Sequence, residues 1–143
     1  MINNSDLAFL FAEVARLTRK KFNQQMEVMN LTHAQCRVLL RLRRFEGLRQ
    51  VELAKLLEIQ PITLVKQLDQ LVELGLLERR MDETDRRAFR LFLCPAATPV
   101  LQEIESKVDE LMAMMMNDVP ELLKENWIEV LQLMKLNLAD AEL

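Results

Sequence analysis

At 143 residues, half of them hydrophobic, the chain can bury a core in one domain without disulfides or metal, and disorder is excluded. No apolar run reaches the roughly 18 residues of a membrane span and the N-terminus lacks a signal-peptide layout, so a cytoplasmic protein with no membrane partner is expected. The net charge of −3 argues against nucleic acid, but its distribution argues for it: twelve Lys/Arg face nine Asp/Glu from Arg37 to Arg90, against three and ten from Ala96 onward.

With only two Gly and four Pro, long helices with few turns are expected. The first spans about Asp6 to Met29, carried by Leu7, Leu10, Phe11, Val14, Leu17, Phe22 and Met26 and capped by Ser5 or Asn4. Thr32-His33-Ala34-Gln35 fits a capping box for a second helix that runs to about Glu46, with Gly47 as its left-handed stop. A short helix over Gln50–Leu57 follows. Pro61 then opens another that ends near Leu74 before Gly75. Two helices joined by so tight a turn outline a helix-turn-helix.

Beyond Gly75 the period changes. Residues 76–80 and 89–93 read as strands around a polar loop, a hairpin or wing with a charged tip. Two helices complete the chain, from about Val100 to Asn117 and from Glu121 to Ala139. The second is apolar almost all round and demands a cover. The expected fold is mainly α with one small hairpin: a winged helix-turn-helix lobe over 31–95, with dimerisation helices over 1–30 and 96–143.

The second helix of the pair buries Leu64, Leu68, Leu71 and Val72, and presents Thr63, Lys66, Gln67 and Gln70 on its other face, with Ile62 in its first turn. Gln suits adenine, Thr and Ile a thymine methyl, and Lys guanine or phosphate. A solvated polar face explains the same residues equally well. The wing adds Asp85, Arg86 and Arg87 at its tip, flanked by Arg79, Arg80 and Arg90. An arginine on such a tip fits a narrow minor groove. Asp85 would hold the loop or the arginine in pose.

Leu53-Ala54-Lys55-Leu56-Leu57, the run from Leu64 to Leu71, Gly75-Leu76-Leu77-Glu78-Arg79 and Asp85-Arg86-Arg87-Ala88 together resemble the MarR family. The segment Leu68-Asp69-Gln70-Leu71 looks closest to its SlyA branch. The resemblance implies a transcription regulator that binds double-stranded DNA as a homodimer on a pseudo-palindrome, with half-sites roughly 34–36 Å apart. It implies that Arg87 is the minor-groove arginine and Asp85 its partner. The terminal helices would interlock through Leu7, Leu10, Phe11, Val130, Leu131 and Met134. After the second wing strand the chain departs from the family, with Leu93-Cys94-Pro95-Ala96-Ala97 where a Leu-Thr turn is usual.

The family also binds small aromatic acids, and Arg16, His33, Cys36 and Arg37 are the candidate residues for such a carboxylate effector. No metal or cofactor is expected: Cys36 and Cys94 match no ligand spacing, and both read as buried, inert thiols. An enzyme is excluded by the absence of a phosphate loop or a nucleophile beside a base. The alternative is a winged-helix protein-interaction module without DNA binding.

Overall fold

Helix α1, Asn4–Glu27, starts behind Asn3, whose extended backbone lets its Oδ1 accept the Asp6 amide at 2.8 Å. The cap is therefore Asn3, and the expected caps Ser5 and Asn4 lie inside the first turn. The computed structural model describes residues 1–141, so the last two residues of the 96–143 span lie outside it. Helix α2, His33–Arg44, carries the expected capping box: the Thr32 hydroxyl accepts the Gln35 amide at 3.1 Å, and Gln35 Oε1 accepts the Thr32 amide at 2.9 Å.

Gly47 has the left-handed backbone expected of a helix stop, at φ +83°, but serves another end. Helix α2 has already closed at Arg44, and the Gly47 N–H donates to Leu91 O at 2.9 Å. The glycine ties the chain after α2 to the hairpin, with Phe92 standing where a Cβ would point.

Helices α3, Gln50–Leu57, and α4, Pro61–Glu73, fall where the sequence places them. Between them Glu58 takes the left-handed conformation at φ 53°, a role sequence alone would assign to Gly or Asn. Strands β1, Leu77–Met81, and β2, Phe89–Leu93, pair antiparallel from Leu77 opposite Leu93 to Met81 opposite Phe89. An isolated bridge from Arg49 to Arg90 joins the start of α3 to this hairpin. Helices α5, Ala97–Met115, and α6, Glu121–Asp140, follow.

The core is a leucine cluster contributed by every element of the lobe: Leu39 and Leu42 from α2, Leu53 and Leu57 from α3, Leu64, Leu68 and Leu71 from α4, Leu77 and Leu91 from the strands. It reaches beyond residues 31–95 to Met26 of α1 and to Ala97, Leu101 and Ile104 of α5. Accordingly the chain forms one compact unit over Met1–Asp109 and a second over Glu110–Leu143. Val72, expected to point inward, is exposed; Leu71 takes the inward position at that end of α4.

Two surfaces remain apolar and uncovered. On α1, Leu7, Phe9, Leu10, Phe11, Val14 and Leu17 are all exposed. Helix α6 buries no residue, and Leu123, Ile128, Val130, Leu133, Met134 and Leu136 face solvent. Large exposed apolar patches are the kind of surface that another molecule covers.

Candidate nucleic-acid interface

Helix α4 owes its position to its inward leucines and to two polar clamps. Gln35, itself buried, donates from Nε2 to Gln70 Oε1 at 3.0 Å and so ties the start of α2 to the last turn of α4. Arg79 of β1 donates to Asp69 Oδ1 at 2.6 Å and to Gln50 Oε1 at 2.7 Å, which joins the hairpin to α4 and α3. An arginine whose fork spans three elements fixes them as no single contact would.

These clamps change the reading of the outer face. Ile62, Thr63 and Lys66 are exposed as expected, whereas Gln67 and Gln70 are half-buried. The Gln67 amide oxygen is buried with no hydrogen-bond partner, and that of Gln70 is taken by Gln35. The face opposite the leucines is centred instead on Ile62, Val65, Lys66 and Asp69. In sequence Gln67 and Gln70 join Thr63 and Lys66 on the outer face because helical spacing alone does not show how closely α2 packs against Gln70.

The wing is built around a residue the sequence reading missed. Asp82, almost wholly buried, accepts through Oδ1 from the Thr84 amide at 2.9 Å, the Thr84 hydroxyl at 2.8 Å and the Asp85 amide at 3.3 Å. Its Oδ2 accepts from Arg49 Nε at 2.9 Å and Arg90 Nε at 2.8 Å. The bonds from Thr84, then those from Arg49, hold its carboxyl far below the usual carboxylate range against an opposing effect of burial. One carboxylate thus pins the wing loop to the N-terminus of α3 and to β2. The Asp82-x-Thr84 spacing is an Asx-turn signal available in the sequence; its pairing with Arg49, 33 residues away, is not.

Beyond this hub the loop carries Arg86 and Arg87, both exposed. Asp85 Oδ1 accepts the Arg87 amide at 3.0 Å, so Asp85 shapes the loop and leaves the Arg87 guanidinium outward. Of the two roles weighed for Asp85, holding the loop is the one made in this structure. Arg80 lies over the Phe92 ring at 3.9 Å from its centroid, a cation–π contact that covers one side of the hairpin.

Of the candidate effector residues, His33, Cys36 and Arg37 share the first turns of α2, whereas Arg16 lines a separate groove on α1. Arg16 lines a shallow groove of about 720 Å³ along α1 with Arg19, Lys20 and Asn23, and none of the other three lines it. His33 is half-buried rather than solvent-exposed, its ring edge-on to Phe22 at 5.4 Å. Burial, then the cations of Arg37 and Arg19, hold its imidazole below the ordinary histidine value. Arg37 donates to the Leu57 carbonyl at 3.2 Å and so closes the end of α3. Cys36 is fully buried in the core, where burial pushes its thiol up to about 11. Cys94 is half-buried, so only one of the two thiols is sealed as the sequence suggested.

No cluster of three metal-ligating residues occurs among the described residues, and no described helix is long and apolar enough to cross a membrane. A hairpin against a lobe of three helices, α2 to α4, defines the winged helix-turn-helix class. Within it, residues 31–89 match the model of the MarR family. A MarR transcriptional regulator from Methanosarcina mazei Go1 shares the fold at a TM-score of 0.84 and 22% identity, over 94% of this chain and 96% of that one. A mutant MarR from E. coli complexed with operator DNA matches at TM-score 0.76 and 23% identity, over 88% and 91%. A mutant MepR from S. aureus bound to an oligodeoxyribonucleotide matches at 0.65 and 24%, over 92% and 97%. Residues 31–89 are thus similar to the MarR family, and the fold shared with these solved structures extends over nearly the whole chain.

Proposed function

We propose that this protein regulates transcription by binding a pseudo-palindromic DNA operator as a homodimer, with α4 in the major groove and the wing in the minor groove of each half-site. One observation carries the reading: Arg86 and Arg87 stand exposed on a loop braced from beneath by Asp82, on the same lobe as the exposed face of α4. A rigid hairpin delivers a cation to a narrow groove at little entropic cost. The two structural neighbours bound to DNA support a duplex partner. A second copy is the cover proposed for the apolar faces of α1 and α6, which include Leu7, Leu10, Phe11, Val130 and Met134. Leu68-Asp69-Gln70-Leu71 favours the SlyA-like branch. A small aromatic carboxylate is the effector class to test, with Arg16 or Arg37 as its cation.

The test compares wild type with Arg87→Ala on one selected duplex across a salt series, with dimerisation followed by sedimentation. Each dimer loses two groove cations, so the slope of log affinity against log salt should fall by about 2 while the dimer persists. An unchanged affinity and slope would refute the wing assignment. Failure of the wild type to bind duplex at low salt would favour a protein-interaction module.

A further inference from the structure

We infer that α4 reads bases through an apolar stripe, Ile62 and Val65, that recognises the methyl groups of thymine, rather than through the amides of Gln67 and Gln70. The inference rests on the reading of α4 as the helix that enters the major groove, and adds which chemistry that helix recognises. Positions 62, 65, 66 and 69 lie at i, i+3, i+4 and i+7, one continuous helix face. On that face Ile62 is 81% exposed and Val65 38% exposed.

The glutamine oxygens are withdrawn from this face. Bidentate recognition of adenine needs both the oxygen and the nitrogen of an amide turned toward the base edge. The Gln70 oxygen is held by Gln35, and the Gln67 oxygen is buried in the protein. Asp69, at the far end of the stripe, is paired with Arg79. The C5 methyl of thymine is the apolar mark in the major groove, so it is the group that an exposed Ile–Val pair can desolvate. Both side chains are β-branched and stiff at χ1, so little side-chain freedom is lost on contact. Lys66 adjoins them on the same face and adds a contact to guanine or phosphate.

Replacing thymine by deoxyuridine removes that methyl and nothing else. The experiment scans such replacements across a duplex selected by the full-length protein and reads affinity by fluorescence anisotropy. One or two positions in each half-site should each cost about fourfold, the value of one buried methyl-sized group. Val65→Ala or Ile62→Ala should abolish the cost at its own position, and Gln67→Ala should preserve it. Tight binding by wild type with deoxyuridine tolerated at every position overturns the inference and leaves DNA binding standing. Relaxed base preference in Gln67→Ala, with the methyl scan flat, assigns reading to the amide. Absence of duplex binding by wild type overturns both readings together.

Discussion

Replacing Gln35 probes the joint that holds α4 against α2. Its side chain makes two hydrogen bonds, accepting from the Thr32 amide at 2.9 Å and donating to Gln70 Oε1 at 3.0 Å, and it is 5% exposed. Gln35→Met keeps the volume and deletes both bonds. At a net contribution of about 1 kcal/mol for each bond, the loss is about 2 kcal/mol. Gln35→Ala deletes the bonds and also opens a small cavity, which adds roughly 1 kcal/mol. Urea denaturation at a fixed protein concentration, with the slope compared between variants, measures both. The expected order is wild type, then Met, then Ala, in steps of that size. A Met variant within about 0.5 kcal/mol of wild type would show that the α2–α4 clamp contributes nothing to stability, and the argument from it would fail.

Asp82 and the two thiols give further predictions. The folded carboxyl of Asp82 is depressed below its unfolded value of about 3.9, so its stabilisation is complete above that pH and is lost as pH falls toward the folded value. The gap in urea midpoint between wild type and Asp82→Asn should therefore be widest near neutrality and narrow below about pH 4; a gap constant from pH 7 to pH 3 contradicts the assignment. A maleimide at pH 7 should label half-buried Cys94 in the native protein and reach Cys36 only after denaturation, because Cys36 is fully buried and its thiol lies near 11. Native labelling of both residues, read by peptide mass spectrometry, would mean that the core opens at this point.

Local signals carried the fold. Thr32 and Gln35 make the box their spacing announces, Pro61 opens α4, and the charged run between two short apolar segments becomes the wing loop. What the sequence withheld are contacts between elements. Asp82 reads as one more charge in a polar loop until the fold brings Arg49 and Arg90 to it. Gln67 and Gln70 sit at polar positions of an amphipathic helix, yet packing takes their amide oxygens out of play, while Val65, unremarked in sequence, is left outside. Gly47 carries the expected conformation and a different duty. Its signal was conformational, and the partner that uses it lies 44 residues downstream at Leu91.

On the proposed reading, this winged lobe recognises specific duplex DNA in symmetric pairs. Selection of bound sequences from random duplex DNA by the purified full-length protein, run at two salt concentrations, tests it most directly. An enriched pseudo-palindrome with half-sites one helical turn apart, bound more weakly at the higher salt, is the predicted result. A bound pool indistinguishable from the starting library, at both salt concentrations, would contradict it.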